Sequence, residues 1–290
     1  MVQRRCPIVP RLHLGTRGLR PRAAPRIAIF LAALLAWVTA RAGAPATMPS
    51  VKPGLMDPAK KEIAMELVSA AENSSLDWKA QYAYIEYNVE HNEGENRGYT
   101  AGIVGFTSKT DDMLEMVTLY DQLAPHNVLT KYLPALQKVD GTSSTDGLGK
   151  DFERDWKLAD GDPKFREAQD QERDRTYFNP AVTLAQADGL HELGQFAYYD
   201  AAVMHGTCRR IRKAAMRKAK TPAQGGDEVT YLNAFLDARV VEMKREEAHD
   251  DVSRVETEQR VFLRDGNLTL DPPLRFKTYG DSYTIEAHGN

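Results

Sequence analysis

Polar and apolar positions alternate along the chain in a way that divides it, downstream of residue 56, into amphipathic segments. Asp57-Pro58 supplies a capping carboxylate and a proline at the first helical position, and Ile63, Leu67, Val68 and Ala71 then recur at helical spacing. This helix should end near Glu72-Asn73-Ser74-Ser75, where short polar side chains compete for backbone hydrogen bonds. Trp78 to Tyr87 is rich in aromatics and fits a helix or a strand, and Glu86 to Phe106 reads as a hairpin turning around His91 to Gly94. Thr110-Asp111-Asp112 caps a second helix with Met113, Leu114, Met116, Val117 and Tyr120 inward. Further helical patterns cover residues 127–139, 164–177, 181–205, 227–249 and 252–264, and the tail 268–285 looks extended. The sum predicts an α+β, mainly α-helical fold with one small antiparallel sheet near residues 83–108.

The amino terminus follows a different pattern. Residues 1–26 carry arginines and no acid, residues 27–40 are apolar, and Ala40-Arg41-Ala42 places small residues at a cleavage spacing. That order is a secretory signal over residues 1–42, because fourteen apolar residues fall short of the roughly 20 that span a bilayer. The expectation is a secreted, extracellular protein with no membrane association after cleavage. Residues 43–55 read as a small-residue, proline-containing disordered leader, and 56–290 as the functional domain.

Removing residues 1–42 takes away eight arginines and no acid, which leaves 30 basic against 41 acidic residues, a formal net of −11. Such a field favours cationic partners and repels nucleic-acid phosphates, though acidity also serves solubility. Cys6 leaves with the signal, so Cys208 stands alone and no intramolecular disulfide can form. No cysteine cluster or His-Glu-x-x-His pattern is present, so neither a metal nor a cofactor is expected. The protein is expected to be a monomer.

Within this frame, Glu72 ends a helix at the edge of its buried stripe. Partial burial and the negative end of the helix dipole both favour the protonated form that a general acid needs, while an ordinary glutamate of a last helical turn has the same spacing. Arg239, Asp200 and Arg254 are written into apolar stripes, where each is too costly to bury alone. They can pair as a network or snorkel to solvent. His205 and His249 lie at helix ends without metal-ligand company. Glu246 and Asp250, four residues apart, make an acidic face that reads as solvated or as a subsite for a cationic sugar. Asn73-Ser74-Ser75 and Asn267-Leu268-Thr269 match the glycosylation pattern.

The stretches EIAMELVSAAENSSLDWKAQY, RGYTAGIVGF, GQFAYYDAAVMHG, FLDAR and AHDDVSRVETEQRVF together resemble glycoside hydrolase family 46, the secreted bacterial chitosanases of the Streptomyces type. The resemblance runs from Asp57 to Tyr283. It implies a lysozyme-like fold of two lobes around a substrate cleft. The implied activity is internal cleavage of β-1,4-linked glucosamine chains with inversion, and the implied partner is chitosan. By the same resemblance Glu72 is the general acid, Glu95 the base that activates water, and Thr100 a residue that helps hold that water. Asp112 falls where a glucosamine amino group is bound. Asp200, Arg239 and Arg254 form a supporting network in which Arg254 reaches Glu72. Ser74, Tyr84, Arg97, Gly105, Thr110, His205, Glu246 and Asp250 complete the implied cleft.

Three departures from the family pattern stand out. The second carboxylate, usually Asp, is Glu95. The hairpin before it is longer and leaves Glu90 and Glu93 as rival bases. Finally, His205-Gly206 runs directly into Thr207-Cys208-Arg209-Arg210 where relatives carry a longer Gly/Pro-rich loop. The competing functions are a lysozyme-like hydrolase of chitin or peptidoglycan and a catalytically impaired binder of cationic polysaccharide.

Overall fold

The computed structural model describes residues 53–88, 97–245 and 251–287. The signal, most of the leader, the turn expected at His91 to Gly94, and Glu90, Glu93, Glu95, Glu246, His249 and Asp250 lie outside the described residues.

Pro53 to Leu55, counted with the leader above, belong to the folded body. Gly54–Met56 form a 3-10 turn, Leu55 is completely buried, and its N–H donates to Gln195 Oε1 at 2.9 Å. Helix α1 (Pro58–Asn73) starts as its cap dictates, with Asp57 accepting from the Ala59 and Lys60 amides. It stops at Ser74, which sits in the left-handed region at φ 51°. Asn73 is buried and donates to Ser69 Oγ, so the first glycosylation match is not on the surface.

The ambiguous stretch after α1 is first helix and then strand: a 3-10 segment, Trp78–Ala83, runs into β1 (Ile85–Tyr87). Strands β2 (Tyr99–Ala101) and β3 (Phe106–Thr107) complete an antiparallel sheet in the order β1-β2-β3, with Glu86, Thr100 and Thr107 in register across it. The expectation of one sheet is corrected by the tail. Strands β4 (Leu274–Thr278) and β5 (Asp281–Ile285) pair with each other as a second antiparallel sheet.

Helices α2 (Asp112–Leu123), α3 (Leu133–Val139), α4 (Gly149–Ala159) and α5 (Pro163–Arg173) follow the first sheet. Leu114, expected inward on α2, is only half-buried. The pattern over 181–205 does not form one helix. It splits into α6 (Asn179–Ala187), reached from α5 through a π-helical turn at Asp174–Phe178, and α7 (Glu192–His205). Gly189 makes the break: it adopts φ 80°, and a Cβ there would stand 3.0 Å from the Ala223 amide. Then come α8 (Arg209–Ala215), α9 (Glu228–Met243), a π-helical turn at Arg254–Gln259, and α10 (Arg260–Arg264).

All fourteen residues of α7 are buried, which makes it the central helix of the core. An edge-to-face aromatic chain of Tyr99, Phe152, Trp156, Phe165 and Tyr120 ties the first sheet to α4, α5 and α2, each ring pair 5.0–6.0 Å apart. Trp156 Nε1 and Gln169 Nε2 both donate to the Tyr82 carbonyl, which fixes the chain entering β1.

Candidate active site

Glu72 occupies the last turn of α1, with its side chain 11% exposed. Arg254 Nη1 donates to Glu72 Oε1 at 2.5 Å. That guanidinium is completely buried and its other edge is committed to Asp200 on α7: Nε lies 2.8 Å from Oδ1, and Nη2 donates to the same oxygen. Asp200 Oδ2 accepts from Arg239 Nη1 of α9 at 2.5 Å and from Gln259 Nε2 at 2.7 Å. The structure therefore brings Glu72, Arg254, Asp200 and Arg239 into one continuous chain from α1 through the core to α9. Burial works against an ionised Asp200, but the two guanidiniums outweigh it and hold its carboxyl down at about 2. Arg254 and Arg239, held in this way, cannot snorkel.

The first sheet carries the other candidates. Thr100 is in the central strand, 8% exposed, and its Oγ1 is buried with no hydrogen-bond partner among the described residues. Across from it on β1 is Glu86, whose Oε2 accepts from Tyr84 Oη at 2.7 Å. Arg97 precedes β2, and Gly98 follows it at φ 72°, pressed against the Ser108 hydroxyl that accepts the Tyr99 amide. Gly105, at φ 68°, lies in the β2–β3 turn.

Asp112 heads α2. The capping expectation needs adjustment, because Asp111 in the N-cap position makes no side-chain cap. Asp112 itself organises the turn, its Oδ1 accepting from the Thr107 amide, the Thr110 hydroxyl and the Met113 amide at 3.1, 2.9 and 3.0 Å. Burial nevertheless pushes its carboxyl up to about 7; the hydrogen bonds oppose the shift and the nearby Glu172 adds to it. Tyr177 Oη donates to the second oxygen at 3.4 Å.

Ser74 caps α1 exposed to solvent, and His205 is the buried final residue of α7, followed by Gly206 in the left-handed region. The short connection after it, Gly206-Thr207, leads straight to Cys208 and α8. Cys208 is buried, and burial pushes its thiol up to about 11. A groove of about 810 Å³ between α2 and the Asp174–Phe178 turn is lined by Glu115, Gln122, Glu172 and Arg175. Each of its carboxylates is already ion-paired: Arg175 bridges Glu115 and Glu172, and Asp174 is held by Lys61 and Arg173. No three His, Cys, Asp or Glu side chains among the described residues are placed to hold a metal ion.

Glu258 and Gln259 belong to the buried charge cluster but have no counterpart in the sequence expectations. A signal was present. Glu258 stands four residues after Arg254 and four before Phe262, on the stripe that singled out Arg254.

Comparison with known proteins places these residues in a family. The model of glycosyl hydrolase family 46 matches residues 66–274. A chitosanase of Streptomyces sp. (strain N174) is 64% identical over 240 residues, covering 81% of this chain and 84% of that protein. A chitosanase of Nocardioides sp. (strain N106) is 60% identical over the same shares. A co-crystal structure of chitosanase OU01 with substrate superposes with a TM-score of 0.76 at 51% identity, covering 80% of this chain and 99% of that one.

Proposed function

Since the chain belongs to glycosyl hydrolase family 46 and is a glycoside hydrolase of lysozyme-like, mainly helical fold, we propose that it cleaves β-1,4 linkages inside chitosan with inversion at the anomeric carbon. The observation that supports this most is the buried chain Glu72–Arg254–Asp200–Arg239. In this reading Glu72 gives its proton to the bridging oxygen as the bond from the anomeric carbon breaks. Glu95 removes a proton from a water that attacks the opposite face of the sugar, and the Thr100 hydroxyl, which has no partner among the described residues, helps to hold that water. One water is split across the bond, Glu72 ends ionised and Glu95 protonated, and exchange with solvent resets both. As Glu72 becomes an anion it meets a guanidinium already oriented by Asp200, so little rearrangement is needed at the moment charge develops. Asp112 takes the ammonium of a glucosamine unit, a charge-assisted contact that acetylation would abolish. Export through residues 1–42 completes the reading, since a polymer of this kind is met outside the cell.

The test is proton NMR of the anomers released from a fully deacetylated glucosamine hexamer by wild type, Glu72→Gln and Glu95→Gln. The expected result is α-anomer first from wild type, with both variants nearly silent. Silence of Glu72→Gln alone would move the base to Glu90 or Glu93. Initial β-anomer would overturn the inverting mechanism.

A further inference from the structure

Glu258 lies in the π-helical turn Arg254–Gln259, next to the glutamine that binds Asp200. Its side chain is completely buried, and neither carboxyl oxygen has a hydrogen-bond partner among the described residues. An ionised carboxylate in such a place is far costlier than a neutral one. Burial therefore raises its proton affinity well above the usual range and Asp200 raises it further, while Arg254, Arg239 and the adjacent Gln259 side chain only partly oppose them.

The charges acting on Glu258 come from three elements. Asp200 faces it from α7 and Arg239 from α9; Arg254 lies on its own turn and leads to Glu72 on α1. Strand β4, packed against this turn, presents Leu274, Phe276 and Thr278 inward and keeps Arg275 and Lys277 exposed. On the outer side Glu256 and Arg260 satisfy each other, with Arg260 also reaching Asp237. With Glu258 neutral, Asp200 is the carboxylate shared by both guanidiniums, while Glu72 also takes Arg254 and the Gln259 side-chain oxygen also takes Arg239. An anion at Glu258 would be a further acceptor in the same cluster, and an open donor awaits it: Arg239 Nε is buried with no partner among the described residues. Drawing Arg239 or Arg254 toward Glu258 would loosen the grip of Arg254 on Glu72.

We propose that Glu258 is a positioning residue for the acid, which must hold its proton for Arg254 to remain committed to Asp200 and Glu72. Its ionisation is then a second route, besides loss of the Glu72 proton, by which activity falls on the alkaline side. The proposal rests on Glu72 being the acid.

The experiment compares kcat–pH profiles on the deacetylated hexamer for wild type and Glu258→Gln, together with infrared difference spectra across the same pH range. Two coupled ionisations make the wild-type alkaline limb fall about a hundredfold per pH unit at its steepest, against about tenfold for the single ionisation left in the variant, with KM little changed. One carbonyl band of a protonated buried carboxyl, the one that persists to the highest pH, should be present in wild type and missing from Glu258→Gln, which keeps the bands of Asp112 and Glu72. Superimposable alkaline limbs would overturn the proposal, and so would absence of the band from wild type. If Glu258→Gln does not fold, the band is read in wild type and Glu258→Asp: a frequency shift supports the assignment and an unmoved band refutes it. The infrared band does not depend on turnover, so failure of Glu72 as the acid, read from an active Glu72→Gln, is separable from failure here.

Discussion

Asp112 shows at the scale of one residue how a site can be bought with stability. It is buried and its carboxyl is pushed up to about 7, although three donors converge on Oδ1. A carboxylate whose folded value is raised contributes its stability in full below the unfolded value near 3.8, and that contribution is lost as pH rises through 7. Asp112→Asn keeps an oxygen for the three donors and removes the charge. Thermal unfolding should show the variant more stable than wild type at pH 8, by an amount on the order of a few kcal/mol, with the difference shrinking as pH falls and vanishing only below the unfolded value near 3.8. The same change should raise KM for glucosamine oligomers about 10- to 100-fold through loss of one charge-assisted hydrogen bond. An unaltered KM would remove Asp112 from substrate binding. Glu72 is legible as a candidate from spacing, but its partner Arg254 comes only from the family resemblance, which the structure matches. The helix repeat reports which face a side chain occupies and is silent about which of the other elements meets that face.

Among the elements, those with strong ends were the legible ones. The cap and proline of α1, and its stop at Ser74, follow from local chemistry alone. Helix α4 has no counterpart in the sequence expectations: its buried face of Phe152, Trp156 and Ala159 also carries the buried Asp155, which is satisfied by its neighbour Arg154 and, from outside the helix, by Tyr132 and Lys131. The α6–α7 break hinges on Gly189 meeting Ala223, a contact between distant segments. Strand β2 depends in a similar way on Gly98, whose φ of 72° leaves no room for a side chain beside Ser108. Gly98→Ala should destabilise the protein by about 1–2 kcal/mol from backbone strain alone. By shifting Thr100 it should also lower kcat more than it raises KM. Chemical denaturation and initial rates check both, and a variant equal to wild type in kcat would separate Thr100 from the reacting water.

For the whole molecule the dominant long-range property is charge. Residues 43–290 hold 41 acidic against 30 basic side chains, a field suited to gathering a polycation. Between about 0.05 and about 0.5 M salt the screening length shrinks severalfold, so KM for polymeric chitosan should rise severalfold while kcat stays nearly constant. A KM indifferent to salt would mean that local contacts alone hold the polymer.

By itself the sequence determined the mainly helical class, the ends of α1, the acidic balance and the family motifs, because each is carried by neighbouring residues or by order along the chain. Only the tertiary structure decided that Arg239, Asp200 and Arg254 pair as a buried network and do not snorkel, that the tail pairs as a second sheet, and that Glu258 is sealed beside them. The reason is physical: the cost of burying a charge depends on which opposite charges stand within a few ångströms, and those come from helices up to 182 residues apart in sequence.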